Sequence, residues 1–396
     1  MTSFSISPIE YQARSERLVE HLRDEKLTGV VLFDHYYILY YTGFAFIPTE
    51  RPIAFVMNTR GERALFVPRL EVEHARSNAL ITRVDFYVEY PLDTHPMKVF
   101  QKTLMEMGIT GQFGVDTDGY PWILGYRGPS LSDLTGRTPR QVVGNIEDQM
   151  MIKSPAELDL IYESIKWANL AHMLLQRYTR VGVTETYASM RAGMEATLTM
   201  LDAIGPIYSA QSAFSDGPSA GYRGQIGRNA AIPHALANNI AFQPGDVLVS
   251  GASTPVWGYN SELERTMIIG PATGDQKHMF EHMLALQNIA FDAIRPGARC
   301  CDVDRAVRAY YETRDLMPFW KHHTGHAIGL RYHEGPFLDI GDQTLIQPGM
   351  VFTIEPGLYS LELGGFRHSD TVVVTGDGIE ILTYYPRDLP SLTIPV

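Results

Sequence analysis

The segment around residue 155 constrains the fold most, because it marks where a long helix must begin. In "MIKSPAELDLIYESIKWAN", Ser154 is placed to cap a helix that starts at Pro155, and Glu157 completes a capping box. Apolar residues follow at helical spacing. At 396 residues the chain is also too long for one ordinary core. We therefore predict two domains, residues 1–150 and 151–396.

The two predicted domains differ in how helices and strands alternate. In the first, the helical pattern "IEYQARSERLVEHLRDEKL" precedes a short apolar strand, "GVVLFD", and the segments "PIAFVMN" and "RALFV" suggest a hairpin. The second contains hairpin-like strands such as "DVLVSGAS" and "RTMIIG", next to the helical segment "DQKHMFEHMLALQNIAFDAI". These patterns predict a smaller α/β domain followed by an α+β domain.

Composition and charge exclude several classes of function. The formal net charge of −12 argues against a nucleic-acid partner, which requires clustered Lys and Arg. No apolar run approaches the roughly 18 residues of a membrane span, and no signal peptide is visible. The two cysteines, Cys300 and Cys301, are adjacent, which disfavours a structural disulfide. We expect a cytoplasmic protein with a small-molecule substrate and no nucleic-acid or membrane partner.

Five polar clusters in the second domain are candidates for chemistry. They are "IPHA" with His234, "GYNSELERT" with Glu262 and Glu264, "HHTGHAIGLRYHEGP" with His326 and His333, "FTIEPG" with Glu355, and "GFRHSDT" with Arg367 and His368. Glu262 and Glu264 lie two apart on a predicted strand, so both face one side. There they repel each other unless a cation or a proton lies between them. A solvated strand face is the alternative for this pair.

Glu355 and His326 are the strongest individual candidates. Glu355 ends an apolar strand directly before Pro-Gly, and buried strands rarely end in an unpaired charge. His326 lies between small residues, where the backbone can approach a ligand closely. His322 and His323 are expected at the surface, and a structural role is the alternative for His234.

Taken in order, these clusters resemble those of the pita-bread hydrolases, the M24 family that includes Xaa-Pro dipeptidases, aminopeptidase P, methionine aminopeptidase and creatinase. The resemblance rests on "HTGHAIGLRYHEGP", "FTIEPGLY" and "GFRHSDTVVVT", preceded by "IPHA" and "GYNSELERT". It implies an α+β pita-bread catalytic domain behind a smaller α/β domain of the creatinase/prolidase type. It also implies a homodimer.

The metal-dependent members of this family bind two divalent ions through two aspartates, one histidine and two glutamates. Mapped by the resemblance, these positions fall on Gly251, Glu262, His326, Glu355 and Ser369. A glycine and a serine thus replace two ligands, and we expect no cofactor. The alternative is one divalent metal ion held by Glu262, His326 and Glu355, since three protein ligands suffice for a catalytic site.

Creatinase works without a metal, and the resemblance to it extends to Glu264 in "LERT" and to Arg51 in "RP". The predicted function is therefore a creatinase-like, metal-independent hydrolysis of a C–N bond in a small cationic or zwitterionic substrate. In this hypothesis His234 is the general base and acid. His326 and His333 hydrogen-bond the tetrahedral centre.

The remaining residues are assigned to substrate binding or to holding the cation. Glu264 and Glu355 count as catalytic because they fix the cation, with Glu262 beside them. Arg51 or Arg367 would bind a substrate carboxylate, and His368 completes the substrate-binding set. Two other functions stay open: a metal-dependent peptidase similar to Xaa-Pro dipeptidase or aminopeptidase P, and a non-catalytic binding module. Lyase chemistry is also compatible with these residues.

Overall fold

The computed structural model describes residues 4–396, which form two compact units. One unit comprises Ile6–Met150, and the other comprises Met151–Val396 together with residues 4 and 5. Within residues 4–396, no helix has both the length and the apolar character needed to cross a bilayer.

The first unit alternates helices with strands. Its helices are α1 (Pro8–Asp24), α2 (His35–Thr42), α3 (Val72–Arg76), α4 (Pro96–Glu106), α5 (Leu131–Thr135) and α6 (Val143–Met151). Its strands are β1 (Gly29–Leu32), β2 (Ala54–Asn58), β3 (Arg63–Pro68), β4 (Arg83–Tyr87), β5 (Gly114–Val115) and β6 (Arg140–Gln141). In the described chain they form one sheet in the order β4-β3-β2-β1-β5-β6.

The centre of this sheet explains the apolar runs in the sequence. Strands β1, β2 and β3 are buried along their whole length, which favours continuous apolar segments such as "GVVL" and "AFVMN". Strands β2 and β3 pair antiparallel, as the predicted hairpin requires, while β1 pairs parallel with β5 and β3 pairs parallel with β4. The first unit is therefore a mixed α/β layer structure.

The second unit has four long helices and a larger sheet. The helices are α7 (Pro155–Tyr178), α8 (Glu185–Ile204), α9 (Gly274–Ala293) and α10 (Cys300–Thr313). The strands are β7 (Ser219–Gly221), β8 (Val247–Ser253), β9 (Leu263–Ile269), β10 (Gly325–Ala327), β11 (Glu334–Leu338), β12 (Val351–Ile354), β13 (Gly357–Ser360), β14 (Gly364–Arg367), β15 (Ser369–Val374), β16 (Ile379–Ile381) and β17 (Thr393–Ile394).

Most strands of the second unit are antiparallel neighbours. The main sheet runs β11-β10-β12-β15-β9-β8-β7, with β16 beside β15 and β17 parallel to β9, and β13 pairs separately with β14. The helices bury small and apolar residues against this sheet, including Ala168 of α7, Ala192 of α8 and Met283 of α9. Helices and hairpins are mixed in this way in an α+β fold.

Helix α7 begins at Pro155, as predicted. The Ser154 hydroxyl accepts a hydrogen bond from the Glu157 amide at 3.2 Å, and the Glu157 carboxylate accepts one from the Ser154 amide at 2.8 Å. Both bonds of the capping box are present, so two amides that a helix start leaves unpaired are satisfied.

Helix α8 was not anticipated from the sequence. Thr184 caps it, and its buried positions are mostly alanines, among them Ala188, Ala192 and Ala196. These small side chains allow close packing against α7 but give only a weak apolar period. The histidine-rich segment was also not anticipated to form strands, yet it supplies β10 and the start of β11.

Candidate active site

Strands β15, β9 and β8 are neighbours in the sheet. They bring together Gly251, Glu262 and Ser369, three of the positions that the resemblance assigned to metal ligands. Glu264 of β9 is in register with Gly251 of β8 on one side and with Ser369 of β15 on the other. Glu262 lies two residues before Glu264 and therefore faces the same way. The Ser369 hydroxyl donates a hydrogen bond to Glu262 Oε1 at 2.6 Å. These four residues form a row across the three strands, and in this row only Glu262 and Glu264 carry carboxylates.

Glu262, His326 and Glu355 converge on one point beside this row. A ligand atom of each lies within 4.8 Å of the ligand atoms of the other two. His326 is carried by β10, and Glu355 directly follows β12, the neighbour of β10 in the sheet. Two carboxylates and an imidazole at this separation are a donor set for a divalent ion.

The His326 ring is oriented as a metal-binding imidazole would be. Its Nδ1 lies 2.9 Å from the carbonyl oxygen of Ala327, to which it donates. The other nitrogen, Nε2, is buried and lies 3.2 Å from Glu355 Oε1 without the alignment of a hydrogen bond. A backbone carbonyl that fixes the Nδ1–H tautomer leaves the Nε2 lone pair for a ligand.

The cluster is electrostatically crowded. Burial and then the charges of Glu355 and Glu264 raise the pKa of Glu262 to about 7. Burial acts to lower the pKa of His326, but the close contact with Glu355 and the charges of Glu355 and Glu262 raise it to about 9, and an ion bound at Nε2 would displace that proton. Burial likewise opposes the ionisation of Glu355, yet His326 and then Arg367 hold its pKa well below the usual range. A cation between these groups would relieve the repulsion between the carboxylates.

Glu264 and Arg367 form a buried ion pair rather than a substrate-binding pair. Arg367 donates from Nε to Glu264 Oε2 at 2.5 Å and from Nη2 to Glu264 Oε1 at 2.8 Å, and its side chain is 3% exposed. Its Nη1 also reaches the hydroxyl of Tyr359 at 3.3 Å. We correct the expectations that Glu264 fixes a substrate cation and that Arg367 binds a substrate carboxylate, because each already neutralises the other.

His368 also needs correction as a substrate-binding residue. Its Nδ1 accepts a hydrogen bond from the Thr266 amide at 3.1 Å, and its Nε2 lies 3.1 Å from the carbonyl oxygen of Arg387. The side chain is fully buried, and both ring nitrogens are used by the backbone. His368 therefore supports the fold behind the site.

A cavity of about 450 Å³ opens beside the row. Its lining includes Ser219, Ala220, Gly221, Arg223, Gly251, Ala252, Ser253, Glu262, Glu264, Tyr332 and His333. Most of its lining residues belong to β7 and β8, and their small side chains leave the space open. The only basic side chains in this lining are those of Arg223 and His333.

The structure brings His333 and His234 to the same region. The ring of His333 stacks on His326, with ring centres 4.0 Å apart. The pKa of His333 is lowered to about 4 by partial burial, by the charge on His326 and, more weakly, by the charge on His234. His234 is exposed on the loop that precedes β8. Two histidines are thus available for proton transfer near the cavity.

Neither His322 nor Arg51 is a surface side chain without partners. His322 is half-buried, and its Nε2 lies 2.6 Å from the hydroxyl of Tyr359, so the expectation of a purely surface role was wrong. Arg51 belongs to the first unit, where its guanidinium contacts Glu50 at 2.5 Å and Glu89 at 2.7 Å. Its assignment to a substrate carboxylate stays a prediction.

Arg223 is the cavity residue that sequence reasoning missed. It lies in "GYRGQ", two residues after the end of β7 and outside any periodic pattern. The flanking glycines, Gly221 and Gly224, were the available signal, because glycines beside a lone charged residue favour a tight turn that exposes it.

Comparison with known proteins settles the family. The sequence matches metallopeptidase family M24 over residues 159–376 and the creatinase/prolidase N-terminal domain over residues 14–123. The chain belongs to metallopeptidase family M24. The chain has a smaller α/β domain followed in sequence by the pita-bread catalytic domain of this family. The predicted fold class is therefore confirmed.

Similar proteins cover almost the whole chain. The putative dipeptidase YkvY of Bacillus subtilis is 27% identical over 378 residues, spanning 95% of this chain and 99% of that protein. The Xaa-Pro dipeptidase of Pyrococcus furiosus is 26% identical over 379 residues, with the same coverage. The structure of dipeptidase PepE from Mycobacterium ulcerans superposes with a TM-score of 0.81 at 26% identity, covering 99% of this chain and all of that one.

These findings identify a hydrolase that acts on peptide C–N bonds, and they correct one expectation. The prediction that no cofactor is needed was wrong, because the matching family is a metallopeptidase family and Glu262, His326 and Glu355 form a donor set for an ion. The relatives favour the peptidase alternative over the creatinase-like, metal-independent reading.

Proposed function

We propose that this chain is a metal-dependent peptidase of the Xaa-Pro dipeptidase type that uses one divalent ion. The convergence of Glu262, His326 and Glu355 within 4.8 Å carries the proposal. The names of its relatives, which include an Xaa-Pro dipeptidase and a dipeptidase, supply the substrate class. The substrate is a short peptide.

The donors present fit one ion. Two carboxylates and one imidazole leave a position for water or substrate in a catalytic site. The orphaned Nε2 of His326, fixed by the Nδ1 contact with Ala327, is the atom that an ion would use. When bound, a divalent ion acidifies water and polarises a carbonyl group.

The donors do not fit a second ion in the manner of the two-metal members. Gly251 has no side-chain donor, and the Ser369 hydroxyl is used by Glu262 Oε1 at 2.6 Å. The neighbouring carboxylate of Glu264 is neutralised by Arg367. The positive charge of a guanidinium therefore occupies the region where a second cation would need negative partners.

The chain's own residues then have distinct tasks. His333 lines the cavity and can donate a hydrogen bond from its ring to an oxyanion that develops on the scissile carbonyl. His234, exposed beside it, can carry a proton to the leaving nitrogen. Arg367 holds Glu264 and Glu355 in place, since its Nε also lies 3.7 Å from Glu355 Oε2, and its own Nη1 contacts the Tyr359 hydroxyl.

Activity and metal dependence test the proposal together. The full chain, loaded with Mn²⁺ or Zn²⁺, is assayed on Ala-Pro, on Ala-Ala and on creatine. We expect hydrolysis of a dipeptide that stops on chelation and falls about 100-fold or more in Glu262→Gln. Glu362→Gln is the matched control, because Glu362 is exposed on the β13–β14 turn.

Two outcomes would overturn the proposal. Turnover of creatine or of a peptide that resists chelation and survives Glu262→Gln would favour direct catalysis by the chain. Absence of any turnover by the metal-loaded protein would favour a binding module. The homodimer implied by the resemblance is a further part of the proposal, and light scattering of the purified chain measures it.

A further inference from the structure

Arg223 stands at the cavity in a conformation that an ordinary side chain rarely adopts. Its φ is 51°, in the left-handed region. Its side chain is 52% exposed and lines the cavity together with His333 and Glu262. Left-handed backbone at a residue other than glycine costs free energy and persists where the surrounding structure fixes it.

A buried carboxylate fixes the backbone directly after Arg223 and ties it to the loop around Asn238. Glu185, at the start of α8, accepts hydrogen bonds from the amide of Gly224 at 2.7 Å and from the amide of Asn238 at 2.8 Å. Gly224 itself packs so closely that a Cβ would lie 2.1 Å from the carbonyl oxygen of Leu236. The turn that presents Arg223 is therefore held at Gly224 by a hydrogen bond and by close packing.

Glu264 does not need Arg223 to neutralise its charge. Glu264 already has a buried two-bond partner in Arg367, whereas Arg223 adds one contact, from Nη2 to Oε1 at 2.9 Å. The same Nη2 is 3.3 Å from Gln225 Oε1. Within residues 4–396, the Nε and Nη1 of Arg223 make no further hydrogen bond. Arg223 lines the cavity.

We propose that Arg223 binds the terminal carboxylate of the peptide substrate. This inference rests on the proposed function and adds the feature of the substrate that the site selects. A guanidinium with free donors, half-exposed in a cavity with small walls, suits a planar carboxylate, and the Glu264 contact holds one edge of the guanidinium in place. The site then favours short peptides with a free C-terminus over peptides that are blocked there.

A pair of substrates that differ only in that charge tests the assignment. Ala-Pro and Ala-Pro amide are compared on the wild type, on Arg223→Ala and on Arg223→Lys. We expect the wild type to prefer the free acid by about 30-fold or more in kcat/KM, as loss of a charge-assisted contact implies. Arg223→Ala raises KM for the acid by a similar factor, leaves KM for the amide unchanged, and Arg223→Lys recovers part of the preference.

The control and the binding measurement separate this proposal from the proposed function. Arg228→Ala is the matched control, because Arg228 is exposed five residues on and outside the cavity lining. Calorimetric titration with proline and with prolinamide tests the carboxylate contact without turnover. If the wild type fails to cleave either peptide but binds proline more tightly than prolinamide, and Arg223→Ala loses that difference, only the proposed function falls.

Two results would overturn the role of Arg223. One is a wild type that treats acid and amide alike in both turnover and binding. The other is an Arg223→Ala protein that weakens acid and amide by the same factor, because that pattern indicates a structural role beside Glu264.

Discussion

The Nη2 and Nε of Arg367 meet the two carboxylate oxygens of Glu264 at 2.8 and 2.5 Å, and both side chains are at most 4% exposed. This pair spans β14 and β9, two strands that are about 100 residues apart in the sequence. It removes from the cavity two of the charges that would otherwise attract a substrate or an ion. The proposed ion therefore has one set of partners, Glu262, His326 and Glu355.

Removal of one member of the pair should be costly for stability. We expect Arg367→Met to lower the free energy of unfolding by about 3–5 kcal/mol, because the buried Glu264 then keeps only the single contact from the half-exposed Arg223. The double variant Glu264→Gln with Arg367→Met should recover much of that loss. Urea titration followed by tryptophan fluorescence measures both. A single variant as stable as the wild type would show that the pair is not buried as described.

Restoring the missing ligands should create a second ion site. In the quadruple variant Gly251→Asp, Ser369→Glu, Glu264→Thr, Arg367→Met, two carboxylates replace the glycine and the serine, and the Glu264–Arg367 pair is removed as a unit so that neither charge is left buried alone. Replacing Glu264 is needed because a Cβ on Gly251 would lie 3.3 Å from its Oε1. We expect about two Mn²⁺ per chain by elemental analysis, against about one in the wild type. Equal metal content in the two proteins would contradict this account of Gly251 and Ser369.

The capping box at Ser154 should contribute measurably to the second unit. Ser154→Ala removes the acceptor of the Glu157 amide and should cost about 1 kcal/mol of unfolding free energy. Ser154→Gly should cost only a few tenths of a kcal/mol, since glycine leaves the helix start open to water. Thermal or chemical denaturation of the two variants compares them, and equal loss in both would exclude the cap as the cause.

The stability of the second unit should fall in acid because of His172. Burial and then the charge of Arg265 lower the pKa of His172 to about 3, and within residues 4–396 its buried Nδ1 has no hydrogen-bond partner. The unfolded chain binds a proton below about pH 6.5, while the folded chain resists until about pH 3. Its contribution to stability is therefore present above pH 6.5 and lost as the pH falls.

A variant isolates this titration. Between about pH 6 and pH 4, His172 should contribute a slope of about 1.4 kcal/mol of unfolding free energy per pH unit. His172→Gln should reduce the slope by that amount, and the similarly buried His368, with its pKa lowered by burial to about 3, should retain its own part. An unchanged slope in His172→Gln would place the acid sensitivity elsewhere.

The sequence predicted those elements whose signals lie within one short segment of the chain. The capping box at Ser154 predicted where α7 begins, and two apolar segments separated by a short polar stretch predicted the β2–β3 hairpin. The charge at the end of an apolar strand singled out Glu355, and the small residues on either side singled out His326. These inferences depend on residues that are close together in the chain.

Features that depend on the register between distant strands could not be predicted from the sequence. Glu264 faces Ser369 and Gly251 only because β9 lies between β15 and β8, and no local pattern encodes that order. His368 and Ser369 are adjacent, and neighbouring side chains of an extended segment point to opposite faces. The sequence could not show which of the two reaches the site. Arg223 escaped because a turn held by Glu185 from another element has no periodic signal.

Metal binding by the wild type tests the central claim most directly. Calorimetric titration of the metal-free chain with Mn²⁺ should give one site per chain, and His326→Ala should abolish it. His278→Ala, in which an exposed histidine of α9 is removed, should titrate as the wild type does. Two strong sites in the wild type, or one site that survives His326→Ala, would contradict a single ion held by Glu262, His326 and Glu355.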